Sequence, residues 1–70
     1  MDDARLAESL DAAANTERAV RYHLSVTQGN AAEQARGQVA YRHAVALRKS
    51  LEDWQETRAF LAAQQESVNG

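Results

Sequence analysis

Apolar positions in the second half of the chain recur with the period of a helix. From Gln38 to Gln65 there is neither Pro nor Gly, and Ala40, Ala44, Leu47, Leu51, Trp54, Arg58 and Leu61 step alternately by four and three. That spacing lines one stripe along a long amphipathic helix. The first half carries a matching stripe at Leu6, Leu10, Ala13, Glu17, Val20 and Leu24. It keeps phase across Asn15 and Thr16, either of which could cap a fresh helix, so one continuous helix is predicted. Asp2 or Asp3 suits its N-cap and the positive end of its dipole. A weaker stripe of Ala12, Ala19, Tyr22 and Val26 runs along its far side.

Between the stripes the turn chemistry is concentrated. Gly29 stands where a helix C-terminus favours positive φ. Asn30 with Glu33 three residues later has the arrangement of a capping box. The pattern therefore predicts an all-α chain, an antiparallel two-helix hairpin with helices over about 3–28 and 31–66, and a frayed tail at 67–70. Residues 1–70 make a single domain. Gly37, near the start of the second stripe, costs roughly 1 kcal/mol against Ala in a helix. Two readings stand there: a close approach of the other helix, or a ragged start.

Folding the chain at Gly29 brings Leu24 near Ala35, Val20 near Val39, Ala13 near Val45 and Leu6 near Asp53. The second helix then outruns the first by about 15 Å at 1.5 Å per residue. The overhang carries Arg58, Phe60 and Leu61, with Trp54 at its root. A lone hairpin has no place to bury these apolar side chains, each worth roughly 1.5–3 kcal/mol when fully buried. Pairing of two hairpins into a homodimeric four-helix bundle answers that need. Its core is expected to draw on Leu6, Leu10, Val20, Leu24, Leu47, Leu51, Trp54 and Leu61.

Composition sharpens this picture. Seventy residues without Cys have no disulfide to lean on, and two His without Cys make a zinc site a poor expectation. Association is then the default stabiliser. A net charge of −2 argues against a general nucleic-acid binder. No run of eighteen apolar residues occurs, so no membrane span is expected, and the Met1-Asp2-Asp3 start lacks the basic and apolar character of a signal peptide. A cytoplasmic protein is the expectation, and seven Arg against one Lys in an Ala-rich chain hints at a bacterial or phage coding sequence.

The charges are sorted. Residues 18–49 hold six Arg or Lys and one acid, Glu33, whereas residues 1–17 and 50–70 hold nine acids and two Arg. The turn end of the hairpin is basic and the open end acidic, either as an ordinary solvated surface or as a field that steers a partner. Arg48 with Glu52, Lys49 with Asp53 and Glu17 with Arg21 are spaced as i,i+4 pairs. Glu17 interrupts the first apolar stripe; it either meets Arg42 or His43 across the hairpin or reaches out to water. Arg58, in the second stripe, either covers Trp54 or reaches an acid of a partner chain.

Candidate chemistry is sparse. His23 and His43 are about two helical turns apart in the expected register, with no further metal ligands nearby. No Ser has an evident base, and the three Gly are isolated, so there is no phosphate loop. No catalytic residue, metal or cofactor is expected. Tyr, Trp and Arg concentrate binding energy at protein interfaces. Tyr22, Tyr41, Arg42, Trp54, Arg58 and Phe60 are therefore the expected contact residues for another protein, with both tyrosines away from the main stripes. In general form the chain resembles the small helical proteins that phages and mobile elements use to block host regulators or defence systems. The unfinished apolar surface, the lack of catalytic residues and the small size point to a non-enzymatic inhibitor or regulator, homodimeric, that acts by binding an unidentified protein. The alternatives are a bundle-forming assembly subunit and a nucleic-acid-associated regulator using the basic turn end.

Overall fold

The computed structural model describes residues 2–69, with side chains described through Glu66. It is all-helical: α1 spans Asp3–Val26 and α2 spans Ala31–Asn69, and the two pack against each other. The molecule is a rod of 60 × 16 × 15 Å. Its length is that of α2, since 39 residues at 1.5 Å each make about 58 Å. Among the described residues, no helix is long and apolar enough to cross a membrane.

Local chemistry accounts for the boundaries. Asp2 caps α1, its Oδ1 accepting from the Arg5 N–H at 2.8 Å. The helix runs unbroken through Asn15 and Thr16 because both side chains bond within it. Thr16 donates to the Ala12 carbonyl at 2.9 Å, and Asn15 accepts from the Arg18 guanidinium. Asn30 caps α2, accepting from the Glu33 N–H at 3.1 Å. Only that half of the expected capping box forms, because the Asn30 N–H is already given to the Thr27 carbonyl at 3.0 Å.

The end of α1 departs from expectation. Gly29 does not take positive φ, and α1 stops at Val26. Its last carbonyls are satisfied by other groups. The Thr27 N–H and hydroxyl both donate to the His23 carbonyl, at 3.1 and 2.7 Å, and the Gln34 side-chain amide reaches back from α2 to the Leu24 carbonyl at 2.6 Å. With those acceptors engaged, the left-handed cap that glycine serves is unnecessary.

The α1 stripe lies where the spacing put it. Leu6, Ala13 and Glu17 are buried, and Leu10, Val20 and Leu24 are half-buried. The α2 stripe does so only in part: Ala44, Leu51 and Arg58 face α1, and Ala40, Leu47, Trp54 and Leu61 do not. The residues turned to α1 are Gln34, Gly37, Tyr41, Ala44, Arg48, Leu51 and Arg58, all buried or half-buried, while Leu47, Trp54 and Leu61 are 54, 42 and 52 % exposed. α1 thus sits along one edge of the apolar arc of α2. Two contacts in the middle of the seam help to hold it there. At Gly37 an added Cβ would lie 2.5 Å from Leu24 Cδ2, so the helices approach at a point with no side chain. At Arg48, a cation meets the buried Glu17. The close-approach reading of Gly37 is the correct one.

The register is also displaced. Leu24 meets Gly37 rather than Ala35, and Asp3 reaches Arg58. Side chains lean towards the N-terminus of their own helix. On α1 that direction is away from the turn and on α2 it is towards it, so facing side chains pair further along α2 than backbone positions alone suggest. The overhang begins after Arg58, and α2 continues another eleven residues, about 16 Å.

Candidate interaction surface

The polar seam comes first because it orients everything else. Glu17 is 9 % exposed, and its Oε2 accepts from Arg48 Nε at 2.5 Å. The same guanidinium donates through Nη1 to Glu52 Oε1 at 2.6 Å. Arg48 is therefore a bridge between the helices. Hydrogen bonding to Glu17 first and Glu52 second raises its pKa above the ordinary arginine value, so it stays charged. Neither sequence reading of Glu17 holds: it does not meet Arg42 or His43, both exposed, and it does not reach out to water. At the open end Arg58 Nε donates to Asp3 Oδ1 at 2.8 Å. Arg58 thus ties down the start of its own α1.

Holding α1 to the Gly37–Arg48 edge leaves the other edge of α2 open. Ala40, Leu47, Trp54 and Leu61 follow one another at intervals of seven residues. An ideal helix drifts only about 20° over that interval, so they share one side of α2. At its turn end this stripe meets a shallow cleft between the helices, lined by Val20, His23, Leu24 and Thr27 from α1 and by Glu33, Arg36, Gly37 and Ala40 from α2. The open face is thus a continuous surface from the turn to the overhang. Of the residues expected in a dimer core, Leu47, Trp54 and Leu61 lie on it, whereas Leu6 is already buried within the hairpin.

The residues expected to meet another protein are scattered. Tyr22 is 65 % exposed on the far side of α1, its ring edge-on to the His23 ring at 6.0 Å. Phe60 is 62 % exposed on the overhang, and Arg42 is exposed. Tyr41 is half-buried at the edge of the interhelix seam, beside Arg42, Val45, Ala46 and Lys49, so it does not fall away from the main contact as expected. Val26, on the weaker far-side stripe of α1, and Val39, expected opposite Val20, are also more than half exposed. Among the described residues, no group of three or more His, Cys, Asp or Glu is placed to hold a metal ion. No protein-family model matches the chain, and neither a curated protein nor a solved structure matches it.

Proposed function

We propose that this chain is a non-enzymatic protein-binding module: a helical hairpin that pairs into a homodimeric four-helix bundle and acts by docking on another protein, as an inhibitor or regulator. One observation carries the reading. Most of the larger apolar side chains of α2 lie outside the seam with α1. Among the described residues Leu6 is the one large side chain fully buried, while Leu47, Trp54, Phe60 and Leu61 are open. A chain of this size rarely secures its fold from one small core. Association of the open α2 face supplies the missing burial, and the same property suits a protein whose work is binding. Tyr22, Arg42 and Phe60, away from the α2 stripe, are the residues proposed to meet the second protein. The setting proposed is the cytoplasm of a bacterium, with the chain encoded there or by a phage.

The test is solution mass, by light scattering behind a sizing column, for the wild type and Leu61→Asp. The wild type should run as a dimer and Leu61→Asp as a helical monomer, since Leu61 takes no part in the seam with α1. A folded wild-type monomer would remove the bundle. A dimer that binds no hydrophobic dye and captures no protein would move the reading to an assembly subunit.

A further inference from the structure

The open face of α2 has an internal symmetry that bears on what covers it. Ala40, Leu47, Trp54 and Leu61 are spaced evenly about Ser50 and Leu51, and Ser50 is also the midpoint of the helix Ala31–Asn69. The charge of α2 changes sign at the same place. Residues 36–49 carry Arg36, Arg42, Arg48 and Lys49 and no acid, whereas residues 52–66 carry Glu52, Asp53, Glu56 and Glu66 with Arg58. Arg48 and Arg58 are engaged within the hairpin by Glu17, Glu52 and Asp3. Among the described residues no ion pair engages Arg36, Arg42, Lys49, Asp53, Glu56 or Glu66, nor Glu33 at the start of α2, so the remaining field is basic in the first half, net of Glu33, and acidic in the second.

We propose that a second copy of this chain covers the open face of α2, lying antiparallel to the first, with the two-fold axis crossing α2 near Ser50. The inference rests on the self-association proposed above and adds its geometry. In the antiparallel pair the basic half of each α2 lies beside the acidic half of the other; in a parallel pair like halves would be side by side. Packed helices are about 8–10 Å apart, within roughly one Debye length at physiological salt, so the difference is felt. The overhang selects the same arrangement. Centred on Ser50, the two long helices overlap along their full length, and the end of α2 that passes beyond its own α1 lies beside the partner's turn end. Leu61 of each copy then reaches the stretch around the partner's Ala40, at the mouth of the cleft that Val20 and Leu24 line. Large meets small, and the unfinished end of one hairpin completes the other. In a parallel pair both overhangs would project together, with neither α1 beside them.

The chain has no Cys, so single labels are clean. Gln38→Cys and Gln64→Cys, both at exposed positions, are each labelled with a nitroxide, and the distance between labels is read by pulsed dipolar spectroscopy alongside the solution mass. In the antiparallel dimer, like labels are about 40 Å apart for either variant, from 1.5 Å per residue along the helix. A mixture of the two variants adds a distance below about 25 Å. A dimer whose like labels both lie within about 25 Å would overturn the antiparallel arrangement while leaving self-association standing. A monomeric mass with no dipolar coupling would overturn both. Raising the salt from 50 to 500 mM should weaken the dimer several-fold; a strengthened dimer would show that charge does not set the orientation.

Discussion

Arg48 and Gly37 decide where α1 lies on α2, and each invites a direct test. Replacing Arg48 by Leu leaves Glu17 nearly buried and without the cation that holds it, and an unpaired buried charge is strongly unfavourable. Arg48→Leu is therefore expected to lower the melting temperature by more than about 5 °C. The double variant Glu17→Leu with Arg48→Leu should recover most of that loss, because an apolar pair of similar size often replaces a buried ion pair at little cost. Circular dichroism melts at one fixed protein concentration check both, and a double variant as unstable as Arg48→Leu would count against the pair as the source of the loss. At Gly37 two effects of about 1 kcal/mol oppose each other. Ala gains helix propensity, and its Cβ pushes on the mobile end of Leu24. Gly37→Ala should lie within about 1 kcal/mol of the wild type, and Gly37→Leu, which the contact has no room for, should cost about 1–3 kcal/mol. Denaturant titrations separate these outcomes.

At the level of the elements, the two helices are stabilised differently. α1 presents its apolar residues to α2 and has little else to offer beyond Tyr22 and Val26 on its far side. α2 has two edges on one apolar arc, one with Gly37, Tyr41, Ala44, Arg48 and Leu51 that holds α1 and one with Leu47, Trp54 and Leu61 that faces outward. Trp54 reports on the outward edge because it is the only Trp. At 42 % exposed in the single hairpin, it should emit at shorter wavelength in the associated state and shift to the red as the protein is diluted or when Leu61 becomes Asp. Emission that ignores both changes would place Trp54 outside any association surface. The start of α2 depends on Asn30, and Asn30→Ala should cost about 1 kcal/mol of hairpin stability, since the Glu33 N–H loses its acceptor.

The whole molecule is a thin rod, 60 Å long and about 16 Å wide, and a rod of two helices has surface on every side. No residue can lie far from solvent, so a second layer of helix is the direct way to add burial. In the proposed dimer the sorted charges would set how that layer is laid on. They contribute more to orientation and encounter rate than to affinity, which the apolar stripe supplies. The same charge distribution bears on nucleic acid. The basic turn end lies on a rod whose open end is acidic, and at 50 mM salt the protein is expected to pass through an immobilised-DNA column without retention. Retention at that salt, lost steeply on raising it, would reopen a nucleic-acid role.

What the chain alone determines here is local. Helical period, the absence of Pro, and the caps at Asp2 and Asn30 depend on neighbours within four residues, and they define both helices and the place of the turn. The inward face of α1 was legible for the same reason, because its apolar stripe is narrow enough to leave one choice. The α2 arc is wide. The spacing drew the contact through Ala40, Ala44, Leu47, Leu51, Trp54, Arg58 and Leu61, yet α1 packs on the side of Ala44, Leu51 and Arg58 and leaves the others open. That choice is made between helices, by a glycine that lets backbones approach at Leu24 and by an arginine that satisfies the carboxylate of Glu17. Glu17 interrupting its stripe was the visible sign of a polar contact, and the sequence left open whether a cation or water would face it. Which cation depends on the lean of two side chains across the hairpin, a three-dimensional property that spacing along either helix does not contain.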